Sequence, residues 1–321
     1  MTTTAAQATN DRYQILALSG GGYRGLFTAA YLSNCETTFR SSCADKFDLI
    51  AGTSIGALLA AGLAVGLPAA NLKKAMMKHG PVIFKPKRFG FLKRLVISAP
   101  YDTRILCSAI KDTLGAEVAD TPLSRIDAPL MISAVNYTHG TTEIFRSRGL
   151  VGAKASDIAL ADAVLASAAA PTFFPLVKAG TDQFADGGLV ANAPDMAAIL
   201  ETLGAQRAPL ETLYTLSVGT AGRRHGAALH EAPLNPSIVS WFFYRGLIQT
   251  TMAAQEDLAL RQAGALLGTH HLRVDEEPAE MQVPAISSLD KADQRATDTL
   301  LSLADAAFSR TKTDRKLRSF F

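Results

Sequence analysis

The chain has 321 residues, 48% of them hydrophobic and 19% charged, a length and balance that allow a large buried core and exclude a disordered or scaffold protein. Its formal charge of +3 is too small to point to a nucleic-acid polymer as partner. The three cysteines, Cys35, Cys43 and Cys107, lack metal-ligand spacing and leave one over from any pairing, which argues against a disulfide framework and for a reducing compartment.

Residues 1–12 are polar and threonine-rich, with neither a basic nor an apolar leader region, and are expected to be a flexible N-terminus without a secretory signal. Tyr13 to Leu18 then reads as a strand running into Ser19-Gly20-Gly21-Gly22-Tyr23-Arg24-Gly25 and a helix from about Leu26 to Phe39. Gly20, Gly22 and Gly25 formally spell a dinucleotide loop, but the acid that should end the second strand is missing, since Asp48 opens that strand instead. The better reading is a nest of backbone N–H groups, an oxyanion hole.

Phe47 to Ala51 is the second strand and Ile55 to Val65 a small-residue helix, with Gly52-Thr53-Ser54-Ile55-Gly56 at the turn between them. This placement predicts a nucleophile elbow, where glycines two residues either side of the serine avoid collisions and the helix N-terminus favours an oxyanion. Leu49 to Leu72 carries no charge, yet the elbow and Pro68 break it, so it is expected to fold as strand, turn and helices rather than to span a membrane.

Pro68 opens a helix to His79 that Gly80-Pro81 should close. Residues 85–94 mix five cations with Phe89, Phe91 and Leu92, as a solvated loop or one that approaches anionic lipid. Asp102 should cap a helix to Leu114, Leu130 to Val135 is a buried strand, and Thr141 to Phe145 is its partner after the turn at His139-Gly140. An alanine-rich helix is expected from Ser156, ending in the small-residue run Ala166 to Pro175. Asp186-Gly187-Gly188 places an acid at a two-glycine turn, and Asn192-Ala193-Pro194 opens a helix to Leu203. A strand from Leu213 to Val218, a helix from Ser237 to Ala265, a strand from His271 to Val274 and an amphipathic helix from Asp290 to Phe308 complete a domain over 13–309. Residues 310–321 form a basic tail, expected to fray. The alternation predicts an α/β fold whose mainly parallel sheet is covered by helices on both faces, with its site at the carboxyl ends of the strands.

A serine needs a group to take its proton. His79, His139, His225, His230, His270 and His271 lie at turns, in a polar loop or at a strand start, and read as surface histidines. Asp186 is the better base, giving a Ser54-Asp186 dyad; the alternative is a triad of Ser54, Asp186 and His230. A module that binds a nucleotide without chemistry is the other alternative.

The three motifs, in this order, resemble the patatin-like phospholipase family. The resemblance implies a three-layer patatin-like sandwich and a lipid acyl hydrolase that cleaves fatty-acyl esters of membrane phospholipids without metal or cofactor. It makes Ser54 the nucleophile, Asp186 the base, Gly20, Gly21 and Gly22 the oxyanion donors, and Arg24 the brace of their loop, with Gly52, Thr53, Gly56, Gly187 and Gly188 completing the motifs. The chain departs from the family where Ser19 replaces a frequent aspartate and Asn192-Ala193 a frequent asparagine pair. Ile83-Phe84, Asn192-Ala193-Pro194 and the compact length are similar to bacterial effectors of anti-phage systems, phospholipases switched on by a cyclic dinucleotide. That likeness implies a cytoplasmic protein acting at the inner membrane surface, a cyclic-dinucleotide activator and a homo-oligomer whose assembly changes on activation; an anionic activator needs cations, for which Arg88, Arg94, Arg223 and Arg224 are candidates, the alternative being that they are ordinary surface charges. A lipase without nucleotide control is the alternative within the family.

Overall fold

The computed structural model describes residues 12–85, 99–150, 154–205, 207–222 and 246–321. Strand β1 (Tyr13–Leu18) lies between β2 (Leu49–Thr53) and β7 (Leu213–Val218), all parallel. Parallel neighbours extend both sides, β3 (Leu130–Asn136) beside β2 and β8 (His271–Val274) beside β7. Beyond β3 the sheet turns antiparallel, with β4 (Thr141–Arg146), β5 (Val177–Ala179) and β6 (Asp182–Asp186).

Alternate residues of the central strands enter two different cores, because successive side chains of a strand point to opposite faces. Leu16, Leu18, Ile50, Ile132 and Leu216 meet the larger core, built with α1 (Gly25–Phe39), α2 (Ile55–Ala64), α3 (Ala69–Ile83), α4 (Thr103–Leu114), α5 (Leu160–Ser167) and α8 (Gln294–Thr311). Ile15, Leu49, Ala51, Met131 and Leu213 meet the smaller one, under α6 (Asp195–Gly204) and α7 (Leu247–Leu267). The three-layer arrangement expected from the alternation is therefore present. Among the described residues no helix is long and apolar enough to cross a membrane. The uncharged stretch 49–72 is divided among β2, the turn at Ser54, α2 and the start of α3.

Several expectations need correction. Helix α3 does not stop at Gly80-Pro81 but runs through it to Ile83: Gly80 seats the Tyr23 ring, and Pro81 lies in the last turn, so the break it makes in the hydrogen-bond ladder falls at the end of the helix. Helix α5 starts at Leu160 rather than Ser156, whose backbone and hydroxyl are taken by Arg146 at the end of β4. Strands β5 and β6 were not expected. The start anticipated at Ser237 for the long helix, and residues 86–94 of the basic aromatic segment, lie outside the described residues.

The tail is docked rather than frayed. Asp314 caps a short helix (Arg315–Arg318), Leu317 and Phe320 are buried, and Phe47 stacks on Phe320 while Phe39 stacks on Phe321. Leu317, Phe320 and Phe321 recur at helical spacing and turn one face inward while the cations face water. Phe320→Ala should therefore cost about 3–5 kcal/mol and lower Tm by several degrees in a thermal melt, whereas a solvated tail would leave Tm unchanged.

Candidate active site

The register of β3 brings the two motif residues together. Along one edge β3 pairs with β2 until Thr53 stands opposite Ser133, and the next residue, Ala134, pairs with Asp186 at the end of β6. Strand β4 occupies the other edge. Where the chain leaves the sheet at the elbow, β6 takes over the vacated edge and delivers its last residue beside Ser54. The Ser54 hydroxyl donates to Asp186 Oδ2 at 2.6 Å, and the Gly188 N–H donates to Oδ1 at 2.6 Å.

Ser54 has φ 56° and ψ −122°, a strained conformation for a residue with a side chain. Space explains its flanking glycines: a Cβ on Gly52 would come within 2.1 Å of the Gly56 carbonyl oxygen, and one on Gly56 within 2.2 Å of that of Leu18. Thr53 ties the elbow to the turn after Asp186 through its hydroxyl, which donates to the Ala191 carbonyl at 2.6 Å. The small-residue run at the end of α5 holds both partners from below. The Ser167 hydroxyl accepts the Ser54 N–H at 2.8 Å, while the Ser167 and Ala169 carbonyls accept the N–H groups of Gly187 and Asp186.

The glycine loop lies against this pair, with one departure from expectation. The Gly20 N–H is not free, since it donates to the Asn192 carbonyl at 2.9 Å. The N–H groups of Gly21 and Gly22 make no hydrogen bond among the described residues. Only Gly22 has a positive φ, 58°; Gly21 is extended, and its constraint is the Thr220 hydroxyl, which a Cβ would approach to 2.4 Å. Gly21→Val should therefore displace the loop from Thr220 and lower kcat by about 10²–10³, the worth of one oxyanion donor, and should cost activity more than stability. An active Gly21→Val enzyme in a fatty-acid release assay would put this loop away from the chemistry. The Arg24 guanidinium lies against Gly222 in the field of Glu256 and Asp275.

Burial raises the Asp186 carboxyl to about 6, against hydrogen bonds from Ser54 and Gly188 that pull it down. A base poised there is ionised at neutral pH and still basic enough to take a proton. Among the described residues no histidine bonds to either member of the pair: His79 meets Asp112, His139 Asp182 and His271 Asp195, while His270 stacks on Tyr214. His225 and His230, like Arg88, Arg94, Arg223 and Arg224, lie outside the described residues.

Ser54, Asp186 and the glycine loop open on a cavity of about 930 Å³. Its lining joins the apolar Leu58, Leu72, Met76, Leu106, Ile110 and Phe174 with the charged Arg24, Glu256, Arg273 and Asp275. Apolar and polar groups in one cavity suit an amphiphile such as an acyl ester. Sequence reasoning missed Ser167, Asn192, Thr220, Glu256 and Arg273 as neighbours of the site. The small-residue run and the Asn-Ala-Pro turn carried a signal for the first two, whereas nothing local marks Glu256 or Arg273.

A family model described as patatin-like phospholipase matches residues 16–199. The chain is 33% identical to a cGAMP-activated phospholipase of Pseudomonas aeruginosa, over 96% of this chain and 91% of that protein. It is 30% identical to one of Escherichia coli over 97% and 93%, and 32% identical to one of Vibrio cholerae over 77% and 76%.

Proposed function

The chain belongs to the patatin-like phospholipase family of lipid acyl hydrolases, and from that premise we propose that Ser54 and Asp186 form its catalytic dyad. The observation that carries the reading is the direct 2.6 Å hydrogen bond from a strained elbow serine to a buried carboxylate. Asp186 takes the hydroxyl proton as Ser54 Oγ attacks the ester carbonyl of a membrane phospholipid. The amides of Gly21 and Gly22, which make no hydrogen bond among the described residues, receive the oxyanion, and Asp186 then passes its proton to the departing glycerol oxygen. In the second half a water attacks the acyl-enzyme, yields its proton to Asp186 and releases the fatty acid, and the proton returns to Ser54.

The acid form of Asp186 cannot accept the proton, so kcat/KM should rise with pH through an apparent value of about 6 and level off above it. Below that value the rate should fall about tenfold per pH unit. A profile flat between pH 5 and 8 would remove Asp186 from the role of base.

The relatives' names, cGAMP-activated phospholipases, support a regulated enzyme that a cyclic dinucleotide turns on, and we propose that it works as an anti-phage effector at the cytoplasmic face of the inner membrane. A phospholipase facing its own cell's membrane needs a resting state. Moving it from about 1% to 99% active requires a ligand that prefers the active arrangement by roughly 5.5 kcal/mol. The test is fatty-acid release from phosphatidylethanolamine–phosphatidylglycerol vesicles, with and without a panel of cyclic dinucleotides, with light scattering for mass. Low basal release, stimulation by a member of the panel and a change in self-association are expected. Full activity without ligand and no response to the panel would reject the regulation and leave the dyad standing.

A further inference from the structure

The N-terminal side of the oxyanion loop is tied to α7 by two routes that meet at Glu256. Two successive side chains of that helix grip Asn192: the Gln255 side-chain oxygen accepts its backbone N–H at 3.0 Å, and Glu256 Oε2 accepts its Nδ2 at 2.7 Å. The Asn192 carbonyl in turn accepts the Gly20 N–H. The other Glu256 oxygen accepts Arg273 Nη2 at 2.9 Å, and Arg273 Nη1 donates to the Ser19 hydroxyl at 2.8 Å and to Ser217 at 2.9 Å. Asp275 also pairs with Arg273 and accepts the Ala221 N–H, which adds a tie to the strand end beside the loop.

A carboxylate only accepts, so Glu256 dictates which way the Asn192 amide faces. Its nitrogen must point to α7, and its oxygen then points toward Gly20 and Gly188, where it is buried and has no hydrogen-bond partner among the described residues. An amide in place of the carboxylate cannot accept from both Asn192 and Arg273. One of the two ties to the loop would be lost.

We propose that Glu256 is a positioning residue for the oxyanion hole, its two oxygens setting Gly20 through Asn192 and Ser19 through Arg273, so that the Gly21 and Gly22 amides face the serine. This rests on the reading of Ser54 and Asp186 as the dyad. A displaced oxyanion donor weakens transition-state stabilisation more than substrate binding, so the signature is a loss in kcat rather than in KM.

The experiment measures fatty-acid release by the full chain, in whichever vesicle and cyclic-dinucleotide condition gives the greatest wild-type rate. Glu256→Gln, Glu256→Asp, Asn192→Ala and the Glu256→Gln/Asn192→Ala pair are compared, with Gln262→Ala on the exposed face of α7 as control. Glu256→Gln should lower kcat by about 10²-fold with KM within about twofold, while the acid limb of the pH profile stays in place. Glu256→Asp, which keeps the charge, should recover part of the loss, and the double variant should be no worse than the more impaired single one. Should Glu256→Gln fail to fold, Asn192→Ala carries the same expectation of a kcat loss. Wild-type kcat in a folded Glu256→Gln, a loss confined to KM, or a shifted acid limb would overturn the proposal. Ser54→Ala, assayed alongside, separates the two readings: if it still turns over, the dyad fails, and if it is dead while Glu256→Gln is fully active, only this inference fails.

Discussion

Ser54→Ala should lower the rate of fatty-acid release by about 10⁶-fold, to what the remaining site achieves without a nucleophile. The substitution removes one oxygen whose hydrogen-bond partner is Asp186, and alanine at φ 56° carries the same backbone strain as serine. The fold should therefore persist with an unchanged circular dichroism spectrum and a similar Tm. Turnover retained at more than about a hundredth of the wild-type rate would place the nucleophile elsewhere.

Asp186→Asn should be nearly as damaging, by about 10⁴-fold, because the amide has the carboxylate's shape but cannot take the serine's proton. Its effect on stability should have the opposite sign. The folded protein holds this carboxyl at about 6 against 3.8 for the free group, so folding favours the protonated form. Stability is consequently surrendered as pH rises from about 4 to about 6. Asparagine stays neutral at every pH. The variant should thus melt above the wild type at pH 7.5, with the gap narrowing as pH falls toward 4. A dead enzyme that is also less stable at pH 7.5 would mean that Asp186 chiefly holds the turn together, and wild-type activity would favour a histidine as base.

The chemistry could be read from the sequence because its parts are local. A strand ending in Gly-x-Ser-x-Gly must turn sharply whatever surrounds it, and the order of the glycine loop, elbow and Asp-Gly-Gly turn pointed to the family that the comparison identified. Strands β1, β7 and β8 formed with the expected bounds, since their apolar runs are bracketed by glycine or polar turns. What could not be read is pairing between distant segments. Nothing in Phe184-Ala185 announces that β6 will occupy the edge of β3 that β2 leaves, although that register is what brings Asp186 to Ser54. Nor could the Gly20 amide be known to belong to Asn192, or Glu256 and Arg273 to stand beside the loop, because these contacts join residues far apart in the chain. The tail misled for another reason: its cations outnumber its apolar residues, but Leu317, Phe320 and Phe321 share one face and stacking on Phe39 and Phe47 outweighs fraying.

The central claim is that Ser54 is a nucleophile activated by Asp186. The most direct measurement is labelling with a fluorophosphonate, which reacts with activated serines, followed by mass spectrometry of the digested protein, with and without cyclic dinucleotides. A single adduct on the peptide containing Ser54, absent from Ser54→Ala and formed far more slowly in Asp186→Asn, is the predicted result. An adduct on another residue, or undiminished labelling of Ser54 in Asp186→Asn, would contradict it.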